Sequence, residues 1–163
     1  MEPAVTWQPD RPGEGRLFVL RVAASEHTPL AGVHGTVGPE ELHFARVAPG
    51  VFESFAAVPV GSADGVGVSL RFVFESGRET RVNRRVPVTP GAYRHEELSV
   101  APRFASPLDS ADQAHLDRDR AMAREAARQA HRTPRVMDSE PMMPRDSRVT
   151  SGFGDGRLFN GQL

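Results

Sequence analysis

Hydrophobic and polar residues alternate in short runs from residue 7 to about residue 100. Alternation with a period of two indicates a β-strand that buries one of its two faces. Residues 15–23 form the strongest run, with Phe18, Leu20 and Val22 on one face. Residues 66–74 also alternate cleanly, and one face of that run carries Val66, Val68, Leu70, Phe72 and Phe74.

Turn signals separate these runs at a spacing of about ten residues. Gly38-Pro39 and the segment 61–65 are examples, and residues 76–79 join two runs in the manner of a hairpin. About seven short strands at this spacing predict an antiparallel β-sandwich of the immunoglobulin-like type. The fold class is therefore mainly β, with the sandwich over residues 1–101.

One helix is predicted after the sandwich, at about residues 110–130. This stretch contains neither Gly nor Pro and is rich in Ala, which favours a helix. Ser110 followed by Gln113 fits a capping box at its start. Leu116 and Met122 are its only large apolar residues, so we expect it to pack lightly and to stay mostly solvated.

The helix belongs to a linker over residues 102–132, and residues 133–163 follow as an extended segment. Its last stretch, 149–161, reads V-T-S-G-F-G-D-G-R-L-F-N-G. The glycines in this stretch indicate positive φ angles or close backbone approach. Its large apolar residues, which require a core, are Phe153, Leu158 and Phe159. We interpret the stretch as the first strand and loop of a packed domain.

The pattern S-x-F-G-x-x-R-x-F-N-G in this stretch resembles the opening of the catalytic domain in lysostaphin-type (LytM-type) zinc metallopeptidases. These enzymes cut the peptide cross-links of bacterial cell walls. The patterns V-x-W-x-P, G-x-L-F and E-L-H-F earlier in the chain look like the N-terminal β-sandwich of some members. The segment P-M-M-P at residues 141–144 resembles the extended segment that docks onto the peptidase core.

In that family, an H-x-x-x-D pair and a distant H-x-H follow the opening segment and supply the zinc ligands. The resemblance implies that this chain is the non-catalytic front part of such an enzyme and lacks those ligands. We therefore expect it to be inactive alone, with no catalytic residue, no metal ligand and no cofactor of its own; zinc is expected in the full-length parent. The resemblance places Arg157 and Asn160 beside the substrate groove, although Asn160 with Gly161 also fits a simple tight turn.

The resemblance also implies partners and a location. The partners are a C-terminal peptidase domain absent from this chain and, outside it, peptidoglycan or an envelope activator protein. The location is the cell envelope or the outside of the cell. Residues 1–4 show no basic or apolar signal region, so we expect the signal peptide to have been removed.

Composition excludes several other classes of function. The net charge is −1, and all 20 basic residues counted with it are arginine, which gives no bulk attraction to nucleic acid or to an anionic membrane. No apolar run approaches the roughly 20 residues of a membrane-spanning helix. The chain has no cysteine, which excludes disulfides and thiolate metal sites.

His115 and Asp119 fit H-x-x-x-D literally and share one face of the predicted helix. The family pattern, however, follows the F-N-G loop and has a glycine between the two ligands, so we interpret this pair as a solvated helix face. The other histidines show no ligand spacing, and a catalytic zinc needs three protein ligands. A convergence of His34, His43 and His95 in the fold stays open at this point.

A function from another class fits the same sandwich. The chain can be a free-standing immunoglobulin-like binding module of the cell envelope with a helical tail. Fold alone does not separate the two functions. The S-x-F-G-x-x-R-x-F-N-G segment favours the peptidase interpretation, since a free module has no need for the start of another domain.

Overall fold

The computed structural model describes residues 2–62, 64–102, 107–130, 133, 142 and 145–161. The chain divides into two compact units, Met1–Gly91 and Ala92–Leu163. The sandwich unit thus ends at Gly91, whereas the sequence prediction extended it to residue 101.

The described part of the first unit consists of short strands joined by tight turns. The strands are β1 (Ala4–Gln8), β2 (Leu17–Ala23), β3 (Leu30–Val37), β4 (Glu40–Glu41), β5 (Ala45–Ala48), β6 (Val51–Ala57), β7 (Val66–Phe74) and β8 (Glu79–Val86).

These strands form two antiparallel sheets with the orders β1-β2-β6-β5 and β4-β3-β7-β8. Four strands facing three is the arrangement of a constant-type immunoglobulin domain, and here β4 adds a short fourth strand to the second sheet. The predicted immunoglobulin-like β-sandwich is therefore confirmed. The described sandwich has one strand more than the predicted number. The additional strand is the two-residue β4, which is too short to show alternation.

The core lies between the two sheets and follows the predicted alternation. In β2, Phe18, Leu20 and Val22 are buried, while Leu17 on the opposite face is 65% exposed. In β7, every second residue is buried, and Phe72 in its centre is fully inaccessible. A strand with one buried face gives this pattern because successive side chains point to opposite sides of the sheet.

Glu14 is a buried carboxylate that joins three segments at one end of the sandwich; the residue is 8% exposed. Its backbone N–H donates to the Thr89 carbonyl at 2.9 Å. Its carboxylate accepts a hydrogen bond from the Gly91 N–H at 2.9 Å and another from the Gly61 N–H. These N–H groups, Gly91 first, hold the pKa of Glu14 below its ordinary value because they stabilise the charged form.

We predict that Glu14→Gln lowers the thermal midpoint of the sandwich by several degrees at neutral pH. A carboxylate whose pKa is depressed on folding stabilises the protein above its unfolded pKa, about 4.3, and that contribution disappears as pH falls through the folded pKa. The difference between wild type and variant must therefore shrink at about pH 3. Thermal melts at the two pH values measure it, and an undiminished difference in acid would contradict this role.

The second unit contains, among its described residues, one helix and two short strands. The helix α1 spans Ser110–Ala130, and the strands are β9 (His95–Leu98) and β10 (Gly156–Phe159). The strand β10 pairs with β9 in parallel. Pairing of β9 with β10 places residues 95–98 in the second unit, and this explains the shorter sandwich unit.

The helix is exposed along its length, as its thin apolar stripe predicts, and none of its residues is buried. Its predicted start at about residue 110 is confirmed, but the predicted cap is wrong, because Asp109 caps the helix in place of Ser110. The Asp109 carboxylate accepts hydrogen bonds from the N–H groups of Ala111 and Asp112, both at 2.8 Å. Gln113, the expected partner of Ser110, donates instead to Asp117 at 3.1 Å. No helix among the described residues is long and apolar enough to cross a membrane.

Candidate functional site

The glycine-rich stretch forms a tight turn followed by β10. The strand expected within this stretch begins at Gly156, after the turn, and residues 149–151 are not in a strand. The register of the parallel pair places Gly156 opposite His95 and Phe159 opposite Leu98. Pairing over these four positions, rather than the β-type composition of Val149 and Thr150, decides where the strand lies.

Asp155 organises the turn that precedes β10. Its Oδ1 accepts a hydrogen bond from the Arg94 N–H, and its Oδ2 accepts one from the Gly152 N–H, both at 3.0 Å. The N–H groups of Arg94 and Gly152, in that order, hold the pKa of Asp155 below its ordinary range. One charged carboxylate thus links the turn to the chain just before β9, across 61 positions of sequence.

Two glycines of the stretch are required by space, as the sequence suggested. Gly154 has φ +85°, and a Cβ atom there would lie 2.3 Å from the ring of Tyr93. At Gly156, a Cβ atom would lie 2.9 Å from the ring of His95. Such distances are well inside van der Waals contact, so side chains at either position would push the turn away from residues 93–95.

The Arg157 side chain contacts one residue of its own motif and one residue of β9. Its Nη2 donates to the hydroxyl of Ser151 at 2.6 Å, and its Nε lies 3.5 Å from Oε2 of Glu96. The first and last residues of the pattern S-x-F-G-x-x-R, Ser151 and Arg157, are therefore in direct contact. The Arg157 side chain remains 47% exposed, so its guanidinium stays accessible to a ligand.

Asn160 closes the strand pair with its side chain. Its Oδ1 accepts from the Val100 N–H at 3.0 Å, and its Nδ2 donates to the Val100 carbonyl at 3.1 Å. Its own N–H donates to Leu98 O at 3.0 Å, and its φ is +53°. The side-chain amide thus takes the place of a further strand residue, and this geometry supports the tight-turn interpretation of Asn160.

The two residues that the sequence singled out are close in the chain but have separate partners. Arg157 binds Ser151 and Glu96, whereas Asn160 binds the backbone of Val100. Sequence reasoning missed Tyr93 and Asp155, which position the turn. A signal for Asp155 existed in the G-D-G sequence, because Asp between glycines commonly accepts hydrogen bonds from nearby backbone N–H groups in turns.

The apolar side chains around this site lie on the surface. Phe153 is 75% exposed, Val149 is 65% exposed and Phe159 is 40% exposed. No described residue of the second unit is buried. The described residues therefore do not supply the core that Phe153, Leu158 and Phe159 were expected to require; Leu158 is half-buried and the two phenylalanines are exposed. A two-stranded sheet without a covering layer is marginally stable at best, and parallel strands normally have both faces covered.

The histidines of the described residues belong to no group of side chains that could hold a metal ion. His115 Nε2 lies 3.6 Å from Asp119 Oδ2 on the exposed helix face, with both side chains more than half exposed. His34 and His43 belong to the first unit and His95 to the second. Within the described ranges, no group of three or more His, Asp or Glu side chains has an arrangement that could hold a metal ion. The P-M-M-P segment lies outside the described residues except for Met142, which is 91% exposed.

Comparison with known proteins finds only weak structural similarity. No family model matches the chain, and no curated protein matches it. Among solved structures, fibronectin(III)-like modules of Clostridium thermocellum CbhA match at 16% identity and a TM-score of 0.38, over 59% of this chain and 56% of that chain. An auxiliary nutrient binding protein from Bacteroides ovatus matches at 13% identity and a TM-score of 0.35, over 58% of this chain and 22% of that one. Neither match bears on function.

Proposed function

We propose that this chain is the non-catalytic N-terminal part of a bacterial cell-wall zinc metalloendopeptidase of the lysostaphin type. Its sandwich positions or gates a peptidase domain, and residues 151–161 open that domain. One observation carries the proposal: the S-x-F-G-x-x-R-x-F-N-G segment is fixed by specific side-chain contacts, yet its apolar residues have no core.

The side-chain contacts within the segment hold it in one defined turn conformation. Asp155 satisfies two backbone N–H groups, Asn160 satisfies both backbone groups of Val100, and Ser151 binds Arg157. A flexible tail has no physical reason to combine these contacts with glycines at the two sterically restricted positions. The conformation thus accounts for the polar residues and for Gly154 in the motif, and it leaves the two phenylalanines without a partner layer.

The exposed apolar side chains support the proposal that further polypeptide covers this unit. Burying a side chain such as Phe153 or Phe159 stabilises a fold by about 1.5–3 kcal/mol. In this proposal, the remainder of the peptidase domain provides that cover and adds strands beside the β9–β10 pair. The same cover would supply the second layer that a parallel pair normally has.

The described residues do not fit a catalytic zinc. His115 and Asp119 offer two groups on an exposed helix face, whereas catalytic zinc takes three protein ligands and keeps one open position. The zinc of the parent therefore belongs, in this proposal, to polypeptide outside this chain, where such an ion polarises the scissile carbonyl and activates a water molecule.

The roles proposed for the two loop residues differ. Asn160 is a positioning residue, because its amide groups are already satisfied by Val100. Arg157 keeps an accessible guanidinium, and a guanidinium suits the carboxylates and carbonyl oxygens of a peptide substrate. Arg157 is therefore the residue of this chain that we place beside the substrate groove.

The proposal places the protein in the cell envelope or outside the cell, with peptidoglycan or an envelope activator protein as partner. The alternative is a free-standing binding module of the envelope. The sandwich favours that alternative in one respect, since it has a complete core of its own. The second unit favours the peptidase, because a self-sufficient module has no use for an ordered but uncovered strand pair.

A zinc titration by calorimetry on this chain, with hydrolysis of purified cell-wall peptide measured alongside, tests the proposal. We expect no stoichiometric zinc binding and no hydrolysis. Submicromolar binding of one zinc per chain would contradict the proposal, because it would place a metal centre within these residues. The variant His115→Ala then shows whether His115 and Asp119 on the helix are the source of any weak zinc binding.

A further inference from the structure

The outer face of the second sheet carries a polar groove of about 650 Å³. It lies across β4, β3 and β7 and reaches β8, on the side of the sheet opposite to the core. Its floor is formed at Gly35 and Leu70. Pro39 also lines it, and the polar side chains of the lining are His34, Thr36, Glu41, Ser69, Arg71, Arg81 and Asn83.

The register places these side chains in two rows that cross the strands. In the first row, His34 is opposite Arg71, and Arg71 is opposite Arg81. Like charges directly opposite each other in a sheet are destabilising. The Glu79 carboxylate pairs with Arg71 at 2.8 Å, while Arg81 has no ion pair among the described residues. The row is thus a basic site with one unpaired guanidinium.

The second row has a different chemistry. Glu41 is opposite Thr36, Thr36 is opposite Ser69, and Ser69 is opposite Asn83. Ser69 and Asn83 are joined by a hydrogen bond at 2.8 Å. Hydroxyl and amide groups both donate and accept hydrogen bonds. The row therefore matches amide groups of a ligand, and Glu41 at its end matches a cation.

From this arrangement we infer that the groove binds a short extended peptide with a free carboxylate and a free amino group. The carboxylate lies beside Arg71 and pairs with Arg81, since a guanidinium binds a carboxylate through two parallel hydrogen bonds and Arg71 is already paired with Glu79. The peptide amides lie along the second row, and the amino group reaches Glu41. The inference stands on the sandwich surface, and only the choice of a cell-wall peptide as the natural ligand rests on the proposed function.

The spacing of the groups sets the length of the ligand. Glu41 and Arg71 lie two strands apart and two residues apart along the strands, which is about 12 Å between their Cα atoms at the usual strand spacing and rise. Three residues in extended conformation span about 10 Å, and the long glutamate and arginine side chains cover the remaining distance. A tripeptide thus places its two charged ends near the two groups of opposite charge. A phosphate or an acidic polymer would use the first row and leave Glu41 as a repulsive neighbour.

The inference is tested by following backbone amide NMR signals of this chain during titration with tri-alanine. We expect saturable shifts at His34, Ser69, Arg71 and Arg81. Tri-alanine with its C-terminus amidated, or with its N-terminus acetylated, must bind more weakly. Inorganic phosphate, added as a competitor, must not displace the peptide at equal concentration.

Substitutions at two arginines, Arg81 and Arg21, provide the matched comparison. Arg81→Gln removes the unpaired charge and should weaken binding roughly tenfold, whereas Arg81→Lys should restore part of it. Arg21→Gln makes the same change on the outer face of the other sheet and should leave binding unchanged. Equal binding by wild type and Arg81→Gln, equal weakening by Arg21→Gln, or displacement by phosphate would overturn the inference. None of these outcomes changes the zinc content that we expect of the natural full-length protein. A failure of this inference can therefore be distinguished from a failure of the proposed function.

Discussion

Replacing Phe72 by Ala should lower the free energy of unfolding of the sandwich by about 3–5 kcal/mol. Phe72 is fully inaccessible in the middle of β7, which lies between β3 and β8 in the second sheet. The loss has two parts, the transfer free energy of the ring and the cavity that the rigid neighbours leave behind. A loss of this size removes a large share of the stability of an ordinary domain.

Urea denaturation followed by the fluorescence of Trp7 measures this effect. Trp7 is the only tryptophan in the chain, and it packs against the core of the sandwich. The matched control is Leu17→Ala, at a side chain that is 65% exposed, where we expect a change within about 0.5 kcal/mol. Similar losses for the two variants would contradict the placement of the core between the sheets.

Replacing Gly154 by Ala should disrupt the β9–β10 pair. The added Cβ would lie 2.3 Å from the Tyr93 ring, and the φ angle of +85° is unfavourable for any residue with a Cβ. We expect amide hydrogen exchange at Arg94, Gly156 and Asn160 to accelerate by about tenfold or more, since small local structures open at low free energy.

Adding Tyr93→Ala to the Gly154→Ala variant separates the steric clash with the ring from the strain of the positive φ angle. Removal of the ring relieves the clash and leaves only the backbone strain, about 1–2 kcal/mol. Exchange in the double variant should therefore be slower than in Gly154→Ala alone. Gly67→Ala is the control, because a Cβ there meets no atom within 4 Å. Unchanged exchange in Gly154→Ala would show that the Tyr93 contact does not order the turn.

The sandwich was predictable because its information is local. Every second residue of β7 is buried, and alternation of this kind is visible in any strand that buries one face. The turn at Gly77, whose φ is +80°, was visible as S-G-R-E between two runs. The strand β4 was not predictable, since two glutamates carry no pattern and pair with β3 only through the geometry of the turn before them.

In the second unit, the sequence predicted that the glycines approach other residues closely, but it did not predict which residues they approach or where β10 begins. The glycines at 154 and 156 signalled close approach, but the partners Tyr93 and His95 are about 60 residues away in sequence. The start of β10 depends on its pairing with β9, which no local pattern encodes. The cap at Asp109 was missed for a different reason, because two adjacent residues, Asp109 and Ser110, are both good caps.

The roles of Arg157 and Asn160 were only partly visible in the sequence. The motif marks both residues equally, while the structure gives Asn160 a backbone partner at Val100 and leaves Arg157 accessible. A side chain that satisfies both backbone groups of another residue stabilises a loop, because unpaired backbone groups are costly to bury. This distinction needs coordinates, since Val100 is 60 positions away.

Native mass spectrometry of the full-length protein, purified from its natural source, is the decisive measurement for the proposed function. It reports the mass of the polypeptide and the number of zinc ions bound to it at the same time. We expect a polypeptide that continues beyond Leu163 and carries one zinc ion, which a chelator removes together with the hydrolysis of cell-wall peptide. A natural protein that binds no zinc would contradict the peptidase assignment and leave the free-standing binding module as the function of the sandwich.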